Sequence, residues 1–121
     1  MTRPTGPTNP ILRKEIRKLF KAYRKFGAPI WKLAGEKLSV RRRARISVNV
    51  GKINKLTREN DYVLIPGKVL GFGILDHAVN VAAFSFSSSA RLKIEKSKGK
   101  CLSFDELISL NPKGTNVKVI T

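Results

Sequence analysis

The chain has 121 residues, the size of one ordinary domain, and 41% of them are hydrophobic, enough to build a core. Twenty-five Lys and Arg face eight Asp and Glu, a formal net charge of +17, and such an excess repels itself until an anion neutralises it. Nucleic acid is therefore the first-ranked partner and an anionic membrane surface the second; the single cysteine, Cys101, excludes an internal disulfide, and no apolar run approaches the ~20 residues of a membrane span.

The charge is uneven. Residues 1–60 hold 17 basic and 3 acidic side chains, net +14, whereas residues 61–121 hold 8 and 5, net +3. The first part is read as the face that meets a polyanion and the second as scaffold.

Residues 1–10 contain Pro4, Pro7, Pro10 and Gly6, which disfavour helix and ladder and predict an extended tail. The segment lacks the apolar stretch of a secretory signal, so a soluble, intracellular chain is expected. A helix is predicted next, with Asn9 as N-cap and Pro10 at its first position. Leu12, Ile16, Leu19, Tyr23 and Phe26 recur at spacings of three and four and mark an apolar face. Lys14, Arg17, Lys18, Lys21 and Lys25 fall largely on the other side, as a solvated face or as phosphate contacts. An amphipathic basic helix also fits a membrane surface, although packing of the apolar face on a core is favoured. Gly27 and Pro29 end this helix and start another through Ile30, Trp31, Leu33, Ala34 and Leu38, with Gly35 as a weak point. Trp31 suits base stacking or the core, and its apolar neighbours favour the core.

Arg41, Arg42, Arg43 and Arg45 lie within five residues and lead directly into an alternating strand. There Ile46, Val48 and Val50 fall on one face, Ser47 and Asn49 on the other. Guanidiniums tied to a packed strand can hold phosphate oxygens in fixed geometry, which a loose basic tail cannot. Residues 51–56 read as a short helix, Tyr62–Ile65 as a strand stopped by Pro66-Gly67, and 68–70 as further extended chain. The Gly71-Phe72-Gly73 stretch lacks the spacing of a dinucleotide or phosphate loop and reads as a turn. Residues 78–84 read as a buried strand, 85–89 as helix caps, 90–96 as a helix and 97–100 as a turn. Ser103 and Glu106 match a capping box at the last helix, and 117–120 read as a final strand. Alternating strands and short helices favour an α/β fold in one layered domain over residues 11–121, behind an N-terminal helical segment and the tail 1–10.

His77 is the only histidine. Asp76 and Asp105 are carboxylates in principle available to it, and Cys101 and Ser103 nominal nucleophiles, but a triad or zinc site needs more partners. A turn histidine, a small hydrophobic cysteine and no metal, cofactor or catalytic site are expected.

Six stretches in order resemble one family, large-ribosomal-subunit protein eighteen-e of archaea and eukaryotes, a relative of bacterial large-subunit protein fifteen. They are GAPIW (27–31), RRRARISVNVGKI (41–53), VLIPGKVLGFG (63–73), VNVAAFSFSSSA (79–90), GKCLSFDEL (99–107) and NPKGTNVKVI (111–120). Glu36, Leu38, Arg42, Arg45, Val48, Asn49, Val50, Lys52 and Ile53 match the family signature. Arg41 replaces a usual Pro or Ser, and Ile46 a usual small residue. The resemblance implies irregular β-β-α units, no catalytic site, an archaeal source and a cytoplasmic place in the large subunit. It implies binding of large-subunit ribosomal RNA beside neighbouring ribosomal proteins, with no membrane or small-molecule partner. Arg41, Arg42, Arg43, Arg45 and Lys52 would meet phosphates, Asn49 a sugar or base edge, and the helix cations Lys14, Arg17, Lys18, Lys21 and Lys25 would extend the track. The rival readings are a free-standing RNA-binding regulator or chaperone, and an enzyme acting on RNA, for which the sequence offers no general base or metal site.

Overall fold

A computed structural model of the chain describes residues 10–39 and 46–121. The arginine run at 41–45 and residues 1–9 of the expected tail lie outside the described residues. The first amphipathic segment is helix α1, Pro10–Phe26, with Leu12, Leu19 and Ala22 buried. Ile16 and Tyr23 pack partly against the same core. Phe26 departs from the expected face: it is 37% exposed, with the Lys25 ammonium 5.3 Å from its ring centroid. Gly27, at φ +75°, ends the helix in the left-handed region that glycine tolerates, and its N–H donates to the Tyr23 carbonyl at 2.8 Å.

Helix α2 spans Pro29–Leu38 and runs through Gly35 without a break. A Cβ on Gly35 would stand 3.0 Å from the Phe20 ring, so the missing side chain lets α1 and α2 approach closely. Trp31 is fully buried, and its Nε1 donates to the Pro112 carbonyl at 2.8 Å. That removes it from base stacking and satisfies its polar atom in the core.

Strand β1 is Ile46–Asn49, so Val50 opens helix α3, Val50–Leu56, instead of ending the strand. Both Val48 and Val50 are nevertheless buried. Strand β2, Asp61–Leu70, passes through Pro66-Gly67. Between its pairings Ile65 with Ala83 and Lys68 with Ser85 it carries one extra residue, a bulge. Proline lacks an N–H and is admitted inside a sheet at such a bulge, which is why the dipeptide does not stop the strand. Strand β3 is Val79–Phe86, and helix α4, Ser88–Lys96, is capped by the Ser87 side chain, which accepts from the Ala90 N–H. A three-residue strand β4, Lys100–Leu102, follows where only a turn was expected up to 100. Helix α5, Phe104–Leu110, starts with the expected capping box of Ser103 and Glu106, and β5 is Val117–Val119.

All pairings are parallel. The order is β1-β2-β3-β4. Strand β5 pairs with Tyr62–Leu64 of β2 and β1 with Gly67–Leu70, so two short strands share one long one. A parallel sheet needs cover on both faces, and two cores supply it. One joins Val63, Ile65, Val69, Val79 and Val81 to α3 and α4 through Val50, Ile53, Ala90 and Ile94. The other joins Leu64 and Ala82 to Leu12, Leu19, Trp31, Leu38 and Phe104 from α1, α2 and α5. The α/β class and its layering are thus as expected.

Parallel neighbours normally need a crossover of a dozen or more residues. Here β2 and β3 are joined by residues 71–78 alone. Asp61 to Leu70 is nine steps that rise about 30 Å, and the nine steps from Leu70 to Val79 reach at most about 32 Å, so the return is stretched and runs alongside α3. The Gly51 N–H donates to the Phe72 carbonyl at 3.0 Å, the Asp76 N–H to Asn54 Oδ1 at 3.1 Å, and the Asn60 N–H to the Ala78 carbonyl at 2.7 Å.

Candidate nucleic-acid interface

At 100° per residue, Lys14, Lys21 and Lys25 stand almost in line along α1, opposite Leu12, Leu19 and Tyr23. Lys14, Arg17, Lys21 and Lys25 are all exposed, and Arg24, one turn beyond Lys21, joins them. The acid of this helix is Glu15, and it is engaged. The result is a row of cations on a helix whose other side is locked into the core, so the row is held in place by packing.

Lys18 stands apart from the row. Its ammonium lies 2.7 Å from Asp105 of α5 and 3.0 Å from Glu15. The hydrogen bond to Asp105, then that to Glu15, raises its pKa above the ordinary lysine value. It leans off the solvent side of α1 and clasps the start of α5. Arg24 was within reach of the sequence, because it continues the three-and-four spacing of Lys21 and Lys25. The Lys18 clasp was not, because its partner lies 87 positions away.

A second basic area lies on α3. Lys52 and Lys55 are exposed, one turn apart. The Lys52 ammonium donates to the Thr121 main-chain oxygen at 2.7 Å. Asn49 is partly committed to the fold, since its Oδ1 accepts from the Phe72 N–H at 3.2 Å. The sequence did not single out Lys55, although it follows Lys52 by three positions, nor Phe72.

The one arrangement among the described residues that imitates a catalytic triad is accounted for by helix capping. Asp76 Oδ1 lies 2.9 Å from His77 Nδ1, and His77 Nε2 lies 2.8 Å from Thr57 Oγ1. The Thr57 hydroxyl, however, donates to the Ile53 carbonyl at 2.7 Å, so its single proton closes the last turn of α3 and is not available as that of a nucleophile. Thr57 is also buried at 8% exposure, away from any substrate. Cys101 is half-buried against the sheet core, and burial pushes its thiol pKa up, away from thiolate chemistry. Among the described residues no group of three His, Cys, Asp or Glu stands close enough to hold a metal ion, and no helix is long and apolar enough to cross a membrane.

Fold and face together define a class: a small, strongly basic α/β protein with a parallel sheet and a cationic outer helix. Comparison with known proteins narrows it. Residues 17–121 match the family described as "Ribosomal protein 60S L18 and 50S L18e". The chain is 48% identical to "Large ribosomal subunit protein eL18" of Methanopyrus kandleri, over 97% of this chain and 96% of that one. It is 47% identical to the protein of the same name from Methanothermobacter thermautotrophicus, over 99% of each. With the Methanococcus maripaludis protein of that name it shares 49% identity, over 93% of this chain and 94% of the other. The chain belongs to this ribosomal-protein family, whose members are structural proteins and not enzymes.

Proposed function

We propose that this chain works in the cytoplasm as a structural constituent of the large ribosomal subunit that binds large-subunit ribosomal RNA through phosphate contacts. The observation that carries the RNA contact is the exposed row Lys14, Arg17, Lys21 and Lys25, fixed on a helix that buries its other face. Lys52, on the helix α3 that covers the other face of the sheet, and the arginines at 41–45 add cations to this reading, and Asn49 offers its amide nitrogen to a sugar or base edge. Such contacts follow the backbone and shape of A-form RNA, whose deep major groove excludes side chains. Adjacent ribosomal proteins would meet the less charged half of the chain.

Neutralising roughly eight phosphates gives a log–log salt slope near −7 on duplex RNA, and each removed contact flattens it by about 0.9. Filter binding of the full chain to large-subunit RNA over a salt series measures this. A salt-independent affinity would overturn the phosphate reading. Sucrose-gradient sedimentation tests the structural role: stoichiometric retention on salt-washed large subunits is expected, and a pool confined to the top fractions would instead support a free regulator or chaperone.

A further inference from the structure

Gly71-Phe72-Gly73-Ile74 begins the stretched return from β2 to β3, and its backbone is held from three sides. The Phe72 N–H donates to Asn49 Oδ1 and its carbonyl accepts from the Gly51 N–H. The Lys93 ammonium of α4 donates to the carbonyls of both Gly71 and Gly73, at 2.6 Å each. Gly73, at φ +99°, lies against the backbone of Gly51, where a Cβ would come within 2.6 Å of the Gly51 Cα. Two glycines meeting in this way seat the loop on the first turn of α3. Yet the side chains so fixed point outward: Phe72 is 80% exposed and Ile74 76%.

A large apolar side chain that contributes nothing to its own core, on a backbone tied this closely, is placed for a partner. The groove beside it has a volume of about 490 Å³ and its lining includes Asn49, Asn54, Lys52 and Lys55. None of its lining residues is acidic. The Asn49 and Asn54 amide oxygens already accept from the Phe72 and Asp76 N–H groups, which leaves their NH2 groups to donate. An apolar protein segment would satisfy Phe72 and Ile74 but would bring nothing to the two ammoniums. An unpaired nucleotide supplies both complements, a flat π face and an anion.

We propose that Phe72 is a stacking platform for one unpaired RNA base, with Ile74 at its edge and Lys52 and Lys55 holding the flanking phosphates. This deepens the RNA-binding reading and rests on it. The phosphate row of α1 fixes orientation on a duplex, whereas the Phe72 groove takes a base out of the stack, as single-stranded and looped RNA allows.

The test uses the full chain and large-subunit ribosomal RNA transcribed in vitro. Phe72→Ala is expected to weaken binding roughly 5- to 100-fold, the range of one lost base–aromatic stack, with the salt slope unchanged. Phe72→Trp keeps affinity within about threefold, and Phe72→Leu, apolar but without a π face, loses as much as alanine. Ultraviolet irradiation of the complex should link residue 72 to a single nucleotide. Because the ring is exposed, thermal midpoints of all three variants should match the parent chain, so loss of folding does not imitate the result. A steep parent salt slope with Phe72→Ala binding as before overturns the platform and leaves the RNA-binding reading standing. Full affinity in Phe72→Leu, or a link from residue 72 to a neighbouring protein in assembled subunits, replaces the base by an ordinary apolar contact. A parent chain that does not bind the RNA removes both.

Discussion

The Lys18 ammonium and the Asp105 carboxylate meet at 2.7 Å across 87 positions of sequence, joining the first helix to the fifth. The contact takes one cation out of the α1 row and makes it a clasp. Lys18→Met should therefore leave the salt slope of RNA binding almost unchanged, whereas Lys21→Ala flattens it by about 0.9. Partly exposed pairs stabilise by no more than about 1 kcal/mol, so Lys18→Met and Asp105→Ala should each lower stability slightly. A double-mutant cycle by urea denaturation isolates the coupling. An Lys18→Met slope that falls as far as that of Lys21→Ala would show that the clasp opens on RNA.

Trp31 is the largest fully buried side chain, and it ties α2 to the segment before β5 through the Pro112 carbonyl. Trp31→Phe keeps most of the apolar volume and deletes the donor. A half-buried carbonyl left without its partner is destabilising by up to about 1–3 kcal/mol, and the smaller ring adds a cavity term. Trp31→Ala should be worse, about 3–5 kcal/mol. Both are read from urea midpoints, and a Phe variant as stable as the parent would mean that water replaces the indole at Pro112.

Periodicity made the first two helices legible, because a buried helical face writes a spacing of three and four into the sequence. The capping box at Ser103 was legible for the same reason: it is a local chemistry with a fixed interval. Pro66-Gly67 was misread as a stop, since whether a proline breaks a strand depends on a bulge that only the neighbouring strand reveals. Strand β4 is three residues long, too short to carry any period. Of the candidate site, the basic row on α1 could be read and the fate of Lys18 could not. Phe72 looked like part of a turn because exposure is a property of what folds around a residue.

Gly67 sits opposite Ile46 in the β1–β2 register. A Cβ there would fall 2.2 Å from the Ile46 carbonyl oxygen and 2.9 Å from its Cβ. Isoleucine at 46 thus lies across from a residue with no side chain. Gly67→Ala should push β1 off β2. Overpacking of this kind is destabilising by about 1–3 kcal/mol or more, and the loss should be seen both in the urea midpoint and in faster amide exchange along residues 46–49. Restoring a smaller partner with Ile46→Ala would not rescue the clash, because the first atom met is backbone. Full rescue by that second change would show that the side chain, not the carbonyl, sets the spacing.

Two carboxylates and one lysine shape the dependence of stability on pH. The Arg58 N–H, then the Lys118 ammonium at 2.9 Å, hold the Asp61 carboxyl below its ordinary 3.8. His77 does the same first for Asp76. A carboxyl so depressed binds fewer protons folded than unfolded, so its contribution is present above pH 3.8 and is lost as pH falls through the lower folded value. Lys18 is raised, so its contribution is complete below pH 10.5 and is lost as pH rises through the higher folded value. Stability from these groups should be level between those limits and fall at both ends. Self-repulsion of a chain at +17 also acts at low pH, which makes the difference between variants the informative quantity. The urea midpoint of Asp61→Asn should lie below that of the parent chain at neutral pH and converge with it below pH 3.8. Lys18→Met should converge with the parent only above pH 10.5. Parallel curves with a constant gap down to the acid limit would mean that Asp61 acts through its shape and not through its charge.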